Sequence, residues 1–489
     1  MMAYLLYLLI LLPAVFGLCF LSLPIKRDYN NPILISTTAV GFAISLFIFS
    51  GFYLSPTAGI TISAQSLLFV HDLDQYLLNF YVDRLSALFL LLSSALFLVA
   101  VVSMRSLTDL GRVKRGAVLI LQSALFGLFL SKDLLSYVFF CALLLIPAIM
   151  FFDFQQKEAD LRGVQKYILG RSLSVFFLIL VLIGEKANST GVLREWLYLD
   201  WGLDEIRAHS ILFFILCIAL FIRLPIFPFQ YYFRETFQTK RPELILFFGV
   251  LSSDALYGFF RFGLGIYGGE INYFAPVLIS LLILSMFLLL IWTLRDFSNR
   301  SRLSCSNAFW SNFVVLSLFV LTADARMAAV FSLIFQMLLL TIQVPLCALK
   351  ERNAWNFEFS KIKKYPIFSA LYLWINSANY FLPVSLGFYC AYLLANGILS
   401  SSVSAYAVVF VVVPIAFYIL YKALTQKALK LDPANKAADE HKPVDLDMRD
   451  LSVFVLPILL LLLLGIYPDI FFDYTKLLIE EIFSGIRGA

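Results

Sequence analysis

About fourteen apolar stretches, each long enough to cross a bilayer, run the length of this chain, and proline interrupts two of them in the middle. The interruptions are Leu224-Pro225-Ile226-Phe227-Pro228-Phe229 and Leu382-Pro383-Val384-Ser385. Lipid offers no hydrogen bonds, so a helix broken at membrane depth must turn its freed backbone groups toward protein or a hydrated cavity. The pattern predicts a polytopic, all-α membrane protein whose broken spans line a polar interior. Composition agrees: 61% of the 489 residues are hydrophobic and 14% charged, against about 25% charged in soluble domains. The net charge of +5 is a property of the loops, and nothing in it points to nucleic acid.

The spans that bear on function are predicted at 84–104 (third), 134–152 (fifth), 166–184 (sixth), 209–230 (seventh), 243–263 (eighth), 327–349 (eleventh), 366–395 (twelfth), 402–421 (thirteenth) and 452–472 (fourteenth). The two proline breaks lie five spans apart, as in transporters built from inverted repeats. This predicts one membrane domain over 1–489: helices 1–3 in 1–110, a first repeat of helices 4–8 in 111–265, a second of helices 9–13 in 266–425, and a cytoplasmic loop with helix 14 in 426–489. Most of the 37 Lys and Arg fall in one alternating set of loops, among them Lys26-Arg27, Arg295 to Arg302 and Lys422 to Lys442. The positive-inside rule then puts both termini on the non-cytoplasmic side. Met1 to Phe20 has no basic n-region and is too long an apolar run for a cleaved signal, so it reads as the first span.

Six cysteines, Cys19, Cys141, Cys217, Cys305, Cys347 and Cys390, lie far apart without CxxC spacing, and only His71, His209 and His441 supply imidazoles. No metal or cluster site is predicted. Intramembrane ionisable groups are functional-site candidates by default, and three stand out: Arg223 at the seventh-span break, Asp254 in the eighth span and Arg171 in the sixth. At 1.5 Å rise per residue, Arg223 and Asp254 fall at depths that differ by several ångströms, which an Arg side chain can bridge. With Ser253 and Gln230 they outline either a polar pathway or a static ion pair that locks helices together. Arg171 can alternatively snorkel to the cytoplasmic interface, and His209 and Gln230 can sit at the interfaces. Asn307, Asn312, Asn376 and Asn379 are candidates for interhelical hydrogen bonds or for lining a water path.

The broken seventh span, Arg223-Leu224-Pro225-Ile226-Phe227-Pro228-Phe229-Gln230, resembles the Lys-x-Pro-Leu-Phe-Pro-Phe-His signature of the antiporter-like subunits of respiratory complex I. Further matches follow in order. They are Val82-Asp83-Arg84-Leu85-Ser86, Leu144-Leu145-Ile146-Pro147, Tyr257-Gly258-Phe259-Phe260-Arg261-Phe262, Arg302-Leu303, Glu351-Arg352, Leu382-Pro383 with Gly387-Phe388, and Leu463-Leu464-Gly465-Ile466-Tyr467-Pro468. The resemblance spans the whole chain and is nearest to the M-type (subunit 4) branch. Mrp-type cation/proton antiporters, membrane-bound hydrogenases and inorganic-carbon uptake complexes contain related subunits.

The resemblance implies a membrane-arm subunit of a proton-translocating NADH:quinone oxidoreductase in a bacterial-type plasma membrane. Its partners would be other membrane subunits and lipid, and those partners would carry FMN, Fe–S clusters and the quinone site, with no cofactor in this chain. The alternative is a stand-alone or Mrp-type cation/proton antiporter or an inorganic-carbon transport subunit. Family members are thought to relay protons through a Glu on the fifth span, Lys on the seventh and eighth, His on the eleventh, and Glu or Lys on the twelfth. The matching positions here are Ala142, Arg223, Ser253, Phe335 and Ala391. Arg cannot be deprotonated in a protein, so Arg223 keeps the charge of a Lys while losing its proton exchange. The resemblance therefore implies a relay that is largely lost and a chain that is structural or weakly pumping.

Overall fold

A computed structural model describes residues 2–22, 27–54, 62–64, 80–104, 111–150, 158–189, 205–230, 252–295, 299–352, 366–379, 381–382, 384–400 and 448–484. The predicted thirteenth span at 402–421, most of the polar connection after it, the start of the eighth span and Pro383 lie outside the described residues.

The described chain is almost entirely helical. Its helices are α1 (Met2–Ser22), α2 (Arg27–Leu54), α3 (Arg84–Met104), α4 (Arg112–Phe129), α5 (Leu134–Leu143), α6 (Leu145–Met150), α7 (Glu158–Ser189) and α8 (Glu205–Arg223). There follow α9 (252–266), which contains a π turn at Phe259–Gly263, α10 (Gly268–Arg295), α11 (Asn299–Phe319), α12 (Ala323–Arg352), α13 (Pro366–Asn379), α14 (Leu386–Ser400), α15 (Met448–Ile466) and α16 (Asp469–Ser484). A short antiparallel pair, Ile62–Ala64 with Phe80–Val82, covers one end and bridges to Ser131 at the α4–α5 turn. Among the described residues six helices are long and apolar enough to cross a membrane, and a seventh span arises if the bent pair Phe454–Ile466 and Asp469–Ile482 counts as one. The protein is an integral membrane protein.

Because lipid tails are as apolar as leucine, packing and interhelical hydrogen bonds hold such helices together, and small residues let backbones approach. At the α1–α4 crossing a Cβ on Gly17 would stand 3.1 Å from the Gly116 carbonyl oxygen, and one on Gly116 would stand 2.9 Å from that of Gly17. α12 runs through the interior, apolar all round, with almost every side chain from Ala328 to Ile342 buried. It packs against α11 and α14, and its Phe335 lies beside the second broken region, against Trp310 and Gly387.

Two predicted spans are interrupted where the sequence suggested single helices. The fifth divides at Leu144 into α5 and α6, three residues before Pro147, which has no N–H to continue the ladder. The last, predicted at 452–472, ends at Ile466; Pro468 follows, and α16 leaves at 83°. α16 buries Tyr474, Thr475 and Leu478 and exposes Asp473, Lys476 and Glu480, so it is amphipathic. Arg84 pairs with Glu481, the Tyr474 hydroxyl donates to the Arg84 carbonyl (2.7 Å), and the Tyr53 hydroxyl to that of Ile470 (2.9 Å). α16 is thereby strapped across the ends of α2 and α3.

Candidate functional site

α8 ends at Arg223 because Pro225 follows, and 224–230 continues as tight turns. The Leu224 N–H still reaches Leu220 (2.9 Å), and the Phe229 N–H bonds to the Ile226 carbonyl (2.8 Å). The groups this break frees are met by neighbouring helices. Asn312 Nδ2 on α11 donates to the Pro225 carbonyl (3.2 Å) and to that of Ala308 (2.7 Å). On α10, Ser285 Oγ accepts from the Phe227 N–H (3.1 Å), and Gln230 Nε2 donates to the Ser285 carbonyl (2.8 Å) and hydroxyl. Gln230 is thus buried at the break rather than placed at an interface.

Immediately before the break the charged groups gather. Asp254 on α9 is fully buried, and its Oδ2 accepts from Nη1 of both Arg223 and Arg171 (2.6 Å for Arg171). Arg171 on α7 is itself buried, with its guanidinium 5.2 Å from the centroid of the Tyr167 ring; it does not reach out to the cytoplasmic interface. Arg223 Nε donates to Ser174 Oγ (2.8 Å), whose hydroxyl passes on to the Ala219 carbonyl (2.7 Å), and Nη2 reaches the Cys141 carbonyl (3.5 Å). The Tyr137 hydroxyl donates to the Asp254 carbonyl (3.0 Å). The Asp254 carboxylate of α9 thus joins α7 and α8, and α5 is tied in through the Asp254 carbonyl and the Arg223 guanidinium. Ser174 stands one helical turn after Arg171, which brings it to the same face of α7.

From Asp254 a neutral line continues toward α12. Asn307 Nδ2 on α11 reaches Ser252 Oγ (3.4 Å), and Gln336 Nε2 on α12 donates to Asn307 Oδ1 (2.7 Å), Ser311 Oγ (2.7 Å) and the Asn307 carbonyl (3.3 Å). Ser253, next to both Ser252 and Asp254 in sequence, is buried. Phe335, where the resemblance looked for His, stacks edge-on against Trp310 with centroids 4.4 Å apart. Trp310 Nε1 and Ser306 Oγ both donate to Asn379 Oδ1 (2.7 and 2.9 Å). The side chain of Asn376 lies outside the described residues. Sequence reasoning passed over Ser174, Ser285 and Gln336; the one readable signal was Gln336, a lone amide in the apolar stretch 328–340.

The second break falls between α13 and α14. Phe381 (φ 57°) and Val384 (φ 81°) take left-handed backbone conformations, costly for a β-branched residue. Ser385 caps α14: its carbonyl and hydroxyl accept from the Phe388 N–H (3.0 and 3.4 Å), and its own N–H bonds to the Leu382 carbonyl (2.9 Å). Gly465 of α15 crosses so close that a Cβ there would lie 2.2 Å from the Val384 carbonyl oxygen. Ala391, further along α14, is only partly buried and brings no ionisable group.

Chemically, the first region offers fixed charge and hydrogen bonds and the second offers neutral polar groups and aromatic rings. Among the described residues no group of His, Cys, Asp and Glu is arranged to hold a metal ion.

Comparison with known proteins gives the chain its relatives. The family model described as NADH:quinone oxidoreductase/Mrp antiporter, transmembrane, matches residues 131–417. The chain is 24% identical over 480 residues to NADH-ubiquinone oxidoreductase chain 4 of Marchantia polymorpha, covering 95% of this chain and 94% of the relative. In fold it is similar to a chain of respiratory complex I from Thermus thermophilus, with TM-score 0.78, 22% identity and 99% of each chain covered. It is also similar to a chain of the Mrp complex from Dietzia sp., with TM-score 0.81, 16% identity and coverage of 98% and 97%.

Proposed function

The chain belongs to the NADH:quinone oxidoreductase/Mrp antiporter transmembrane family, and from that membership we propose that it is an M-type, antiporter-like membrane-arm subunit of a complex I-like assembly that no longer pumps by the usual relay. Redox chemistry enters through partner subunits that carry flavin, Fe–S clusters and the quinone site. The chain occupies a bacterial-type plasma membrane, with both termini on the non-cytoplasmic side, as one domain of two inverted five-helix units within about fourteen spans. Helix ends at Arg223 and Asn379, each followed by non-helical chain at a corresponding place, support that arrangement.

One observation carries the functional reading: Asp254 is held by two guanidiniums. Proton relay through a carboxylate and a Lys works because each shifts the other's protonation. Arginine stays charged throughout the accessible pH range, so neither partner of Asp254 can take its turn. Ala142, Phe335 and Ala391 supply nothing to bridge toward, and the network acts as a clamp on α5, α7, α8 and α9. The chain is a structural module.

Arg223→Lys returns a titratable amine to the seventh-span position. Under this reading the variant, assembled in the native complex, leaves the proton/electron ratio unchanged, because four further positions still lack ionisable groups. The measurement is proton uptake per NADH oxidised in proteoliposomes. A ratio that rises with Arg223→Lys, or one that falls in Arg223→Ala despite normal assembly, would show a working channel instead. Co-purification separates the alternative class: a stand-alone antiporter would leave the membrane as a monomer or homodimer and exchange cations in liposomes alone.

A further inference from the structure

Away from the Arg171–Asp254–Arg223 group, about 21 Å further along α7 at 1.5 Å rise per residue, a second carboxylate joins three elements. Glu185 stands one turn before the end of α7, and its Oε1 accepts from the hydroxyl of Tyr267, the residue between α9 and α10. The same oxygen lies 3.9 Å from Nδ1 of His209 on α8. His209 also turns its ring edge-on to that of Tyr267, with centroids 6.0 Å apart, and Phe213, one turn later on α8, meets the Tyr267 ring at 5.6 Å. Helices α7 and α8 approach closely here, since a Cβ on Gly184 would lie 2.3 Å from the Leu212 side chain. Tyr267 is buried, whereas the side chains of Glu185 and His209 are 24% and 30% exposed, so protons from solvent reach both.

At 3.9 Å the contact between Glu185 and His209 is too long for a hydrogen bond but within the range of an ion pair. It therefore gains strength when the ring carries its second proton and both nitrogens are donors. The other titratable groups around these three residues are Lys186, exposed and next to Glu185 in sequence, Glu270 in the first turn of α10, and Cys217 on α8. Of all these side-chain types, only imidazole ordinarily changes its charge between about pH 5 and about pH 8. Among the described residues His209 is the one histidine. The guanidiniums at Asp254 keep their charge over the same range, so the two ionic groups respond to pH in different ways.

We propose that Glu185, His209 and Tyr267 form a pH-responsive latch between α7, α8 and the α9–α10 turn, slack when His209 is neutral and drawn tight by its imidazolium. Tyr267 holds the carboxylate in either state, and the proton on His209 decides whether α8 is tied to it. The contact contributes at the lower pH and is lost as pH rises. Because α7 carries Arg171 and Ser174 and α8 carries Arg223, the latch fixes the far ends of two helices that the clamp joins nearer their middle. In the proposed topology this end faces the non-cytoplasmic side, and the latch answers to the pH there. The inference goes beyond the structural-module reading and does not rest on it, since a pumping chain would accommodate the same latch.

The test is amide hydrogen exchange in the intact native assembly, read on peptides from the end of α7 and the start of α10 at about pH 5 and about pH 8. Labelling times are scaled for the intrinsic dependence of exchange on pH. Protection in the unaltered chain should be about two- to fivefold higher at the lower pH, the size of a partly exposed ion pair. His209→Gln and Glu185→Gln should each abolish that difference. His209→Lys, a cation at both values, should raise protection at the higher pH to the level the unaltered chain shows at the lower. If His209→Gln fails to assemble, the other two variants carry the test. A pH difference that persists in either glutamine variant, its absence from the unaltered chain, or no gain in His209→Lys would overturn the latch. None of these outcomes bears on the proton/electron ratio of Arg223→Lys, so the two readings stand or fall separately.

Discussion

The two helix breaks solve the same problem with opposite chemistry. At the first, neighbouring helices reach in: Asn312 from α11 and Ser285 from α10 satisfy freed main-chain groups, and a buried carboxylate with two guanidiniums sits one turn away. At the second, the chain caps itself through Ser385, accepts left-handed backbone at Phe381 and Val384, and is surrounded by Trp310, Phe335 and Phe381. A break whose groups are held from outside is coupled to the helices that hold it. A self-capped break in an aromatic setting depends on close packing. The difference says that perturbing charge should damage the first region and perturbing volume the second.

The largest expected effect is Asp254→Asn. The substitution leaves two guanidiniums converging on a neutral amide in a low-dielectric interior, and losing one member of a buried ionic group costs about 3–5 kcal/mol. Arg223→Ala should be the milder single change, because Arg171 still donates to the carboxylate. The arrangement also alters what a compensating pair can do. Arg223→Gln with Asp254→Asn removes one charge of each sign but takes from Arg171 its Asp254 contact, so it should recover only part of the loss. Yield of assembled complex, measured by native gel, should rank Arg223→Ala above the pair and the pair above Asp254→Asn. A pair that assembled like the unaltered chain would mean that Arg171 contributes nothing at Asp254.

Next in size, and aimed at the second region, is Gly465→Ala. A methyl group would lie 2.2 Å from the Val384 carbonyl oxygen and 2.9 Å from the Leu386 nitrogen, both main-chain atoms that cannot rotate away. The cost should reach or exceed the ~3 kcal/mol upper end of ordinary overpacking. Thermal unfolding of the purified assembly, followed by loss of this subunit, is the measurement. An unaffected midpoint would show that α15 can slide off the break, and that the second region is less dependent on packing than its geometry suggests.

The sequence makes the membrane fold legible because bilayer thickness sets an apolar length that recurs along the chain, and it marks both breaks because proline removes a donor whatever surrounds it. Ion-pair reach was also legible: Arg223 and Asp254 fall at compatible depths on adjacent spans. Arg171 was ambiguous, since a long cation two turns inside a span can either snorkel or turn inward, and only the position of Asp254 decides. Ser174 and Ser285 were hidden for a different reason. Serine is common in apolar helices, where it usually bonds back to its own helix, as Ser317 and Ser332 do here; which serine faces a partner depends on helix rotation. The turn from α15 into α16 was misread because an apolar run continues past Pro468 through Phe471-Phe472, so hydropathy alone carried the span across a bend.

The smallest effects test the comparison most finely, through the two residues that satisfy main-chain groups at the breaks. Asn312→Ala withdraws the donor to the Pro225 carbonyl, and no rotation of α8 can return that carbonyl to a helical ladder, because the chain beyond it turns away. A buried acceptor left unmet costs about 1–3 kcal/mol. Ser385→Ala removes a side-chain cap, but the Phe388 N–H keeps its bond to the Ser385 carbonyl at 3.0 Å, so the loss should stay near the ~1 kcal/mol typical of a helix cap. The ordering follows from who does the holding. An outside donor is irreplaceable, whereas a local cap has a main-chain substitute already in place. Unfolding midpoints of the two single variants in the same assembly decide the matter. Should Ser385→Ala prove the more damaging, the second break would depend on its serine as the first depends on Asn312, and the contrast between a held break and a self-capped one would fail.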